Sequence, residues 1–114
     1  MQQIRLGDTY YLRIYVKQED GNPRNLDDIV NILYRMAKSV KSTTYYIEKN
    51  ITSAEVTIED SAEGIISVKL TQDDTKNLLA GSAYHETQLE ASNGDILTVM
   101  GESINLADQL IKGT

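Results

Sequence analysis

A regular alternation of apolar and polar side chains over residues 10–17 is the clearest hydrophobic pattern in the chain. A period of two residues is typical of a β-strand that buries one face and exposes the other. The buried face is predicted to consist of Tyr10, Leu12, Ile14 and Val16. The same alternation predicts that Tyr11, Arg13 and Tyr15 project from the opposite, solvent-facing side.

Similar short segments recur along the chain, separated by turn-forming residues. The further predicted strands cover residues 29–38, 44–49, 54–59, 66–70, 84–91 and 96–100. Asn93-Gly94 is the strongest short hairpin signal in the sequence, and Asp60–Gly64 is also typical of a hairpin turn. Gly101 permits a bend or a bulge. Ile104 and Leu106 are predicted to form a last edge segment.

Residues 29–38 fit two interpretations. Alternate positions from Val30 to Met36 are apolar, as in a strand. However, Ile29, Leu33 and Met36 also lie on one face of a helix. We predict a strand, because Val, Ile and Tyr dominate the segment and favour β structure. A helix here would change the fold class to α+β.

A short helical turn is predicted near residues 72–79. Thr71 is a suitable N-cap, since its hydroxyl can accept the backbone N–H of Asp74. Carboxylates in the first turn also interact favourably with the helix dipole. The pair Leu78-Leu79 is expected to cover the open end of the fold. Gly81 is predicted to end the helix in a left-handed conformation.

The number and spacing of these segments predict the fold class. About seven or eight short strands separated by turns are typical of an all-β sandwich or barrel. A length of 114 residues fits one domain, and at that size folding buries about two-thirds of the unfolded chain's surface. Since no repeat, low-complexity tract or linker marks a boundary, we predict one domain over residues 1–114.

Charge disfavours two classes of partner, and composition excludes cysteine chemistry. The formal net charge is −6, from 11 basic and 17 acidic residues. This charge disfavours a nucleic-acid binder and attachment to an anionic membrane. The absence of cysteine excludes disulfides and thiolate sites. Met1–Arg5 lacks the apolar core of a signal peptide, so we expect a protein made in the cytoplasm.

Side chains with catalytic potential are few and isolated. His85 is the only histidine, no nucleophile accompanies it, and we expect it at a sheet edge. The acidic pairs in turns lack the Asp-x-Asp-x-Asp-Gly spacing of a calcium loop. We therefore predict no catalytic, cofactor-binding or metal-ligating residue, and no enzymatic activity.

The outward face of the first alternating strand gives the best physical indication of function. Tyrosine and arginine dominate the energetic hot spots of protein interfaces. Tyr11, Arg13 and Tyr15 are therefore candidate interface residues, and Tyr45 is a further candidate. The alternative is that these side chains form ordinary cross-strand pairs on a partly exposed sheet.

Several short motifs follow one another in a characteristic order. The first half of the chain contains Leu6-Gly7-Asp8-Thr9-Tyr10, then Glu19-Asp20-Gly21-Asn22-Pro23 and an apolar strand over 30–36. The second half contains Val68-Lys69-Leu70-Thr71, Asp74-Thr75, Gly81, Tyr84, Asn93-Gly94-Asp95, Thr98 and Gly101. In order and spacing, from about residue 4 to residue 106, this series resembles the N-terminal immunoglobulin-like domain of phage baseplate upper proteins.

The resemblance implies an immunoglobulin-like antiparallel β-sandwich of about seven strands. It implies a non-enzymatic component of a phage or prophage tail or baseplate, located in the virion. The implied partners are other phage structural subunits, or copies of the chain itself in a homo-oligomer. The resemblance brings no catalytic residue and no cofactor.

Two other classes of function remain open from the residues alone. A small sandwich can bind a cell-surface glycan or another ligand, which predicts a concave site with convergent polar groups and an aromatic wall. A small enzyme is the third class, and its only support is His85 beside Glu86 together with the carboxylates in the turns.

Overall fold

The computed structural model describes residues 2–39, 41, 43–52, 55–76, 78 and 80–107. Within these residues the chain forms eight strands and one short helix. The strands are β1 Gln2–Arg5, β2 Tyr10–Tyr15, β3 Ile29–Ala37, β4 Ile47–Asn50, β5 Val56–Asp60, β6 Ile65–Leu70, β7 Gly81–Ala91 and β8 Ile96–Ala107. The helix, α1, comprises Gln72–Thr75.

The strands form two sheets that enclose one core. Five strands pair in the order β1-β8-β7-β3-β4, and three pair in the order β2-β6-β5. Neighbouring strands are antiparallel, except that β1 runs parallel to β8. This is the predicted immunoglobulin-like β-sandwich, with β1 as an additional strand. β4 extends its sheet beside β3, as the extra strands of variable-type domains do.

Alternating residues from both sheets fill the space between them. The largest fully buried apolar side chains are Ile4, Leu12, Leu26, Ile32, Tyr34, Met36, Ile66, Leu70, Leu89, Ile104 and Leu106. Three of them belong to β3, so the strand interpretation of residues 29–38 is confirmed. The helical stripe is wrong, because Leu33 lies on the opposite face of the strand from Tyr34 and is only partly buried.

Local signals in the sequence correctly predicted two hairpins and the helix cap. β5 pairs with β6, and β7 pairs with β8, in antiparallel hairpins. Thr71 caps α1 through a reciprocal capping box, in which its hydroxyl accepts the Asp74 N–H and the Asp74 carboxylate accepts the Thr71 N–H. Leu78 packs against the core, and Leu79 lies outside the described residues.

The predicted end of the helix is wrong. α1 ends at Thr75, its C-cap is Lys76 in a right-handed conformation, and Gly81 begins β7. Gly81 does have a positive φ of 138°, but this conformation serves the entry into a strand. Residues 72–75 form a single turn, which the capping box of Thr71 and Asp74 organises.

Two strand assignments and the position of one bulge also need correction. β4 begins at Ile47, three residues later than the predicted strand over 44–49. Ile104 and Leu106 do not form an edge segment, because β1 pairs along the outer side of β8. The irregularity in β8 lies opposite Thr87 and Gln88, where Val99 is the extra residue, and not at Gly101.

Candidate functional site

The outer face of the three-stranded sheet presents the predicted interface residues. Tyr11, Arg13 and Tyr15 alternate along β2 with buried residues, so all three project away from the core. Tyr11 is 62% exposed and Tyr15 is 53% exposed, the two largest values among the exposed tyrosines. The predicted exposure is confirmed, whereas the role of these residues in an interface stays a prediction.

Residues of β5 and β6 hold the charged groups of this face in place. Arg13 Nη2 donates a hydrogen bond to Glu59 Oε1 over 2.6 Å. This bond to Glu59 raises the pKa of Arg13 above its ordinary value. The Lys69 ammonium lies 5.8 Å from the centroid of the Tyr11 ring, within the range of a cation–π contact. We call these five residues, Tyr11, Arg13, Tyr15, Glu59 and Lys69, the tyrosine face.

Tyr45 does not belong to the tyrosine face. It is exposed, but it lies on the outer face of the other sheet, where the guanidinium carbon of Arg35 is 4.3 Å from its ring centroid. Arg35 also donates to the Tyr45 hydroxyl over 3.2 Å and to Glu48 over 2.6 Å. Two surfaces of different composition therefore lie on opposite sides of the sandwich.

A depression of about 200 Å³ lies on the outer face of the five-stranded sheet. Its lining residues are Leu33, Arg35, Ala37, Ser39, Tyr45, Tyr84, Glu86 and Gln88. Tyr84 lies across Gly101 of β8, where a side chain would meet the tyrosine hydroxyl. We call this depression the sheet pocket.

The sequence drew attention to three residues of the sheet pocket but did not place them in one site. Tyr45 was an interface candidate on the wrong surface, Glu86 was a possible partner of His85, and Tyr84 was part of the motif series. The polar face of β7, where Tyr84, Glu86 and Gln88 alternate with buried residues, follows from the period of the strand. Their proximity to Arg35 follows from the pairing of β3 with β7, which connects residues far apart in the sequence.

The prediction that His85 lies at a sheet edge is wrong. β7 lies between β3 and β8, and the His85 side chain is fully buried. Its Nδ1 is 3.0 Å from the Tyr34 hydroxyl, and its Nε2 is 3.5 Å from Glu102 Oε1. The period of β7 explains this position, since His85 shares a face with buried Thr87 and Leu89.

Burial controls the ionisation of this internal pair. Loss of solvation lowers the pKa of His85 below its ordinary value, and the carboxylate of Glu102 offsets this effect only in part. Burial likewise raises the pKa of the Tyr34 phenol. Glu86 points to the opposite face of β7, so the suggested pair of His85 and Glu86 does not form.

Two further features bear on function, the grouping of possible metal ligands and the length of the helices. Within the described residues, no group of three or more His, Cys, Asp or Glu side chains is placed to hold a metal ion. No helix in the described part of the chain is long and apolar enough to cross a membrane.

No protein-family model matches the chain, and no curated protein matches it. The resemblance to phage baseplate upper proteins therefore stays a prediction.

Proposed function

We propose that the chain is a non-enzymatic structural component of a phage or prophage tail or baseplate. In this proposal it acts through protein–protein contacts made by the tyrosine face. The order of motifs supports the virion location, and the immunoglobulin-like sandwich agrees with the fold that the resemblance implies. The geometry of the tyrosine face supports the mode of action.

The observation that carries the proposal is the exposure of two tyrosines around a guanidinium that is already held in place. Tyr11 and Tyr15 are each more than half exposed, and Arg13 between them is bonded to Glu59. Tyrosine offers a large contact area and a polar tip, with few rotatable bonds. Because Arg13 is positioned before binding, less conformational entropy is lost when a partner covers it.

The charges of the tyrosine face also favour contact between two copies of the chain. Arg13 and Lys69 lie beside Glu59, so the face carries both signs. In a two-fold symmetric contact the same patch meets itself, and basic groups can face the acidic group of the other copy. We therefore expect copies of this chain to be among its partners.

Two-dimensional ¹⁵N–¹H spectra over a protein concentration series test where association occurs. We expect concentration-dependent shifts and line broadening for amides of β2, β5 and β6. The double variant Tyr11→Ser/Tyr15→Ser should lose this dependence because it removes the aromatic contact area. The matched control is Tyr45→Ser, which removes an exposed tyrosine from the other sheet and should leave the dependence intact.

Two results would contradict this assignment of the interface. Spectra that do not change with concentration would show that copies of the chain do not associate. Changes confined to β3 and β7, or retained in the double variant, would place the contact on the other sheet.

A further inference from the structure

Two oppositely charged side chains face each other across the sheet pocket without forming an ion pair. Arg35 of β3 and Glu86 of β7 are directly paired in the strand register, a position at which Cβ atoms are about 5 Å apart. Arg35 instead binds Glu48 and Tyr45, and Glu86 accepts a hydrogen bond from Gln88 over 3.1 Å. These other contacts therefore keep the side chains of Arg35 and Glu86 apart.

The groups around this gap keep unused hydrogen-bonding capacity. Within the described part of the chain, the Tyr84 hydroxyl has no hydrogen-bond partner, and Glu86 uses only Oε1. Gln88 donates through its amide nitrogen to Glu86 and Thr98, which leaves its amide oxygen as an acceptor. Donors and acceptors thus converge on one small depression, which is a common feature of small-molecule sites.

The charges of the sheet pocket disfavour a ligand of either sign. A cation attracted by Glu86 would meet Arg35, and an anion attracted by Arg35 would meet Glu86. A neutral ligand with neighbouring hydroxyls avoids this conflict, because each hydroxyl can donate to the carboxylate and accept from the guanidinium. Hydrogen bonds to charged groups are also the stronger ones.

The remaining walls of the sheet pocket fit a ring with one apolar face. Tyr45 and Tyr84 supply aromatic surface, and Leu33 and Ala37 supply aliphatic surface. The volume of about 200 Å³ is below the roughly 300–1,000 Å³ of sites for drug-sized ligands. The pocket therefore has room for one ring with its substituents.

From these observations we propose that the sheet pocket binds a single pyranose unit of a neutral saccharide. Glu86, Gln88 and Arg35 hydrogen-bond its hydroxyls, and Tyr45 and Tyr84 contact the carbon–hydrogen face of its ring. This site is on the opposite side of the sandwich from the tyrosine face. We therefore expect binding at one surface to be independent of association at the other.

Titration of the whole ¹⁵N-labelled chain with simple sugars tests the proposal. The probes are the methyl glycosides of glucose, galactose, mannose, rhamnose and N-acetylglucosamine, added separately. At least one should give saturable shifts centred on the amides of Arg35, Glu86 and Gln88. A dissociation constant of about 1 mM is expected for a ligand of this size.

Variants with matched controls locate the binding. Glu86→Gln and Tyr45→Ala should each raise the dissociation constant about tenfold or more, because they remove a charged acceptor and an aromatic wall. The controls Glu59→Gln and Tyr15→Ala make the same kinds of change on the tyrosine face. They should alter the dissociation constant for the sugar less than about twofold. The dispersion of each spectrum shows whether the variant is folded.

Three results would overturn the proposal. The first is the absence of saturable shifts with all five glycosides. The second is binding that Glu86→Gln and Tyr45→Ala leave unchanged. The third is saturable binding of the zwitterion glycine betaine at these residues with no binding of the sugars, which would assign the Arg35–Glu86 gap to a charge-separated ligand.

Discussion

At the scale of single residues, the strongest constraint is the burial of His85 in an apolar core. In its neutral form, Nδ1 can accept a hydrogen bond from Tyr34 and the N–H at Nε2 can point toward Glu102. Protonation would place a cation among buried groups, with Glu102 as the nearest compensating charge. Burial therefore favours the neutral form and lowers the pKa of His85.

This lowered pKa predicts that stability depends on pH in a range where few other groups titrate. Because the unfolded chain binds a proton at His85 at higher pH than the folded chain does, the free energy of unfolding should fall as the pH decreases from about 7 to 5. His85 is the only histidine, so His85→Phe should remove most of this slope. Urea unfolding of both proteins at several pH values measures it, and equal slopes would contradict the account.

Gly64 is a second residue with a specific structural requirement. Its φ is +70°, and a Cβ atom there would lie 2.6 Å from the Val16 carbonyl oxygen and 2.7 Å from that of Arg24. Gly21 has a similar φ of +87°, but an added Cβ would meet nothing within 4 Å. Substitutions at the two glycines therefore distinguish the cost of backbone strain from the cost of steric collision.

Gly64→Ala should destabilise the protein more than Gly21→Ala does. We expect a cost of about 1 kcal/mol for Gly21→Ala, from the left-handed conformation alone. Gly64→Ala should cost about 1–3 kcal/mol more, since backbone atoms must move to admit the methyl group. Chemical denaturation measures both values, and equal costs would show that the turn adapts freely.

At the scale of elements, an internal ion-pair cluster joins β4 to α1. The Lys49 ammonium is largely buried and pairs with Glu55 and, over 2.8 Å, with Asp74 of the helix. Burial alone would lower the pKa of Lys49, but its bonds to Asp74 and Glu55 outweigh burial and raise the pKa. Asp74 also completes the capping box with Thr71, so one carboxylate supports both the helix and its attachment.

Loss of this cluster should destabilise the fold measurably. Lys49→Met leaves two carboxylates without their cation, and we expect a cost of about 1–3 kcal/mol because both partners are partly exposed. The matched control is Lys76→Met, whose ion pair with Asp73 is exposed and should change stability by less than about 0.5 kcal/mol. Thermal or chemical unfolding distinguishes the two, and a similar small effect from both would contradict a structural role.

The same cluster predicts a loss of stability in acid. Burial would raise the pKa of Asp74, but hydrogen bonds from Lys49 and from the backbone of Thr71 lower it below the ordinary value of 3.8. The stabilisation from ionised Asp74 is therefore present at neutral pH. It is lost as the pH falls through the lowered pKa, because the folded chain must then bind a proton.

Elements with strong local signals could be predicted from the sequence, whereas elements defined by distant pairing could not. The alternation of β2 and the Thr71 cap depend on neighbouring residues. In contrast, β1 contains one buried apolar residue, Ile4, and becomes a strand by pairing with Ile104–Ala107 of β8. Such pairing depends on tertiary contacts, which outweigh weak local preferences.

The two candidate surfaces also differ in whether local sequence or distant strand pairing determines them. The exposure of Tyr11, Arg13 and Tyr15 follows from the period of a single strand. The sheet pocket requires the register that places Arg35 opposite Glu86, and these residues are separated in the sequence by β4, β5, β6 and α1. A single sequence gives the face on which each of these side chains lies, but the register between the strands is set only by the assembled sheet.

At the scale of the whole molecule, the sandwich separates two surfaces with different chemistry. The tyrosine face is a sheet surface with exposed aromatic area and charges of both signs. The sheet pocket is a depression in which Tyr84, Glu86 and Gln88 keep unused hydrogen-bonding capacity. Since each surface has its own set of strands, a substitution on one should leave the other intact, which allows assembly and saccharide binding to be tested separately.

Light scattering coupled to size-exclusion chromatography, over a concentration series of the unmodified chain, tests the central claim of assembly most directly. We expect a discrete closed oligomer that dissociates on dilution, with an interface burying on the order of 1,000 Å² or more. The double variant Tyr11→Ser/Tyr15→Ser should remain monomeric under the same conditions. A strict monomer at every concentration, or an oligomer unaffected by the double variant, would contradict self-assembly through the tyrosine face.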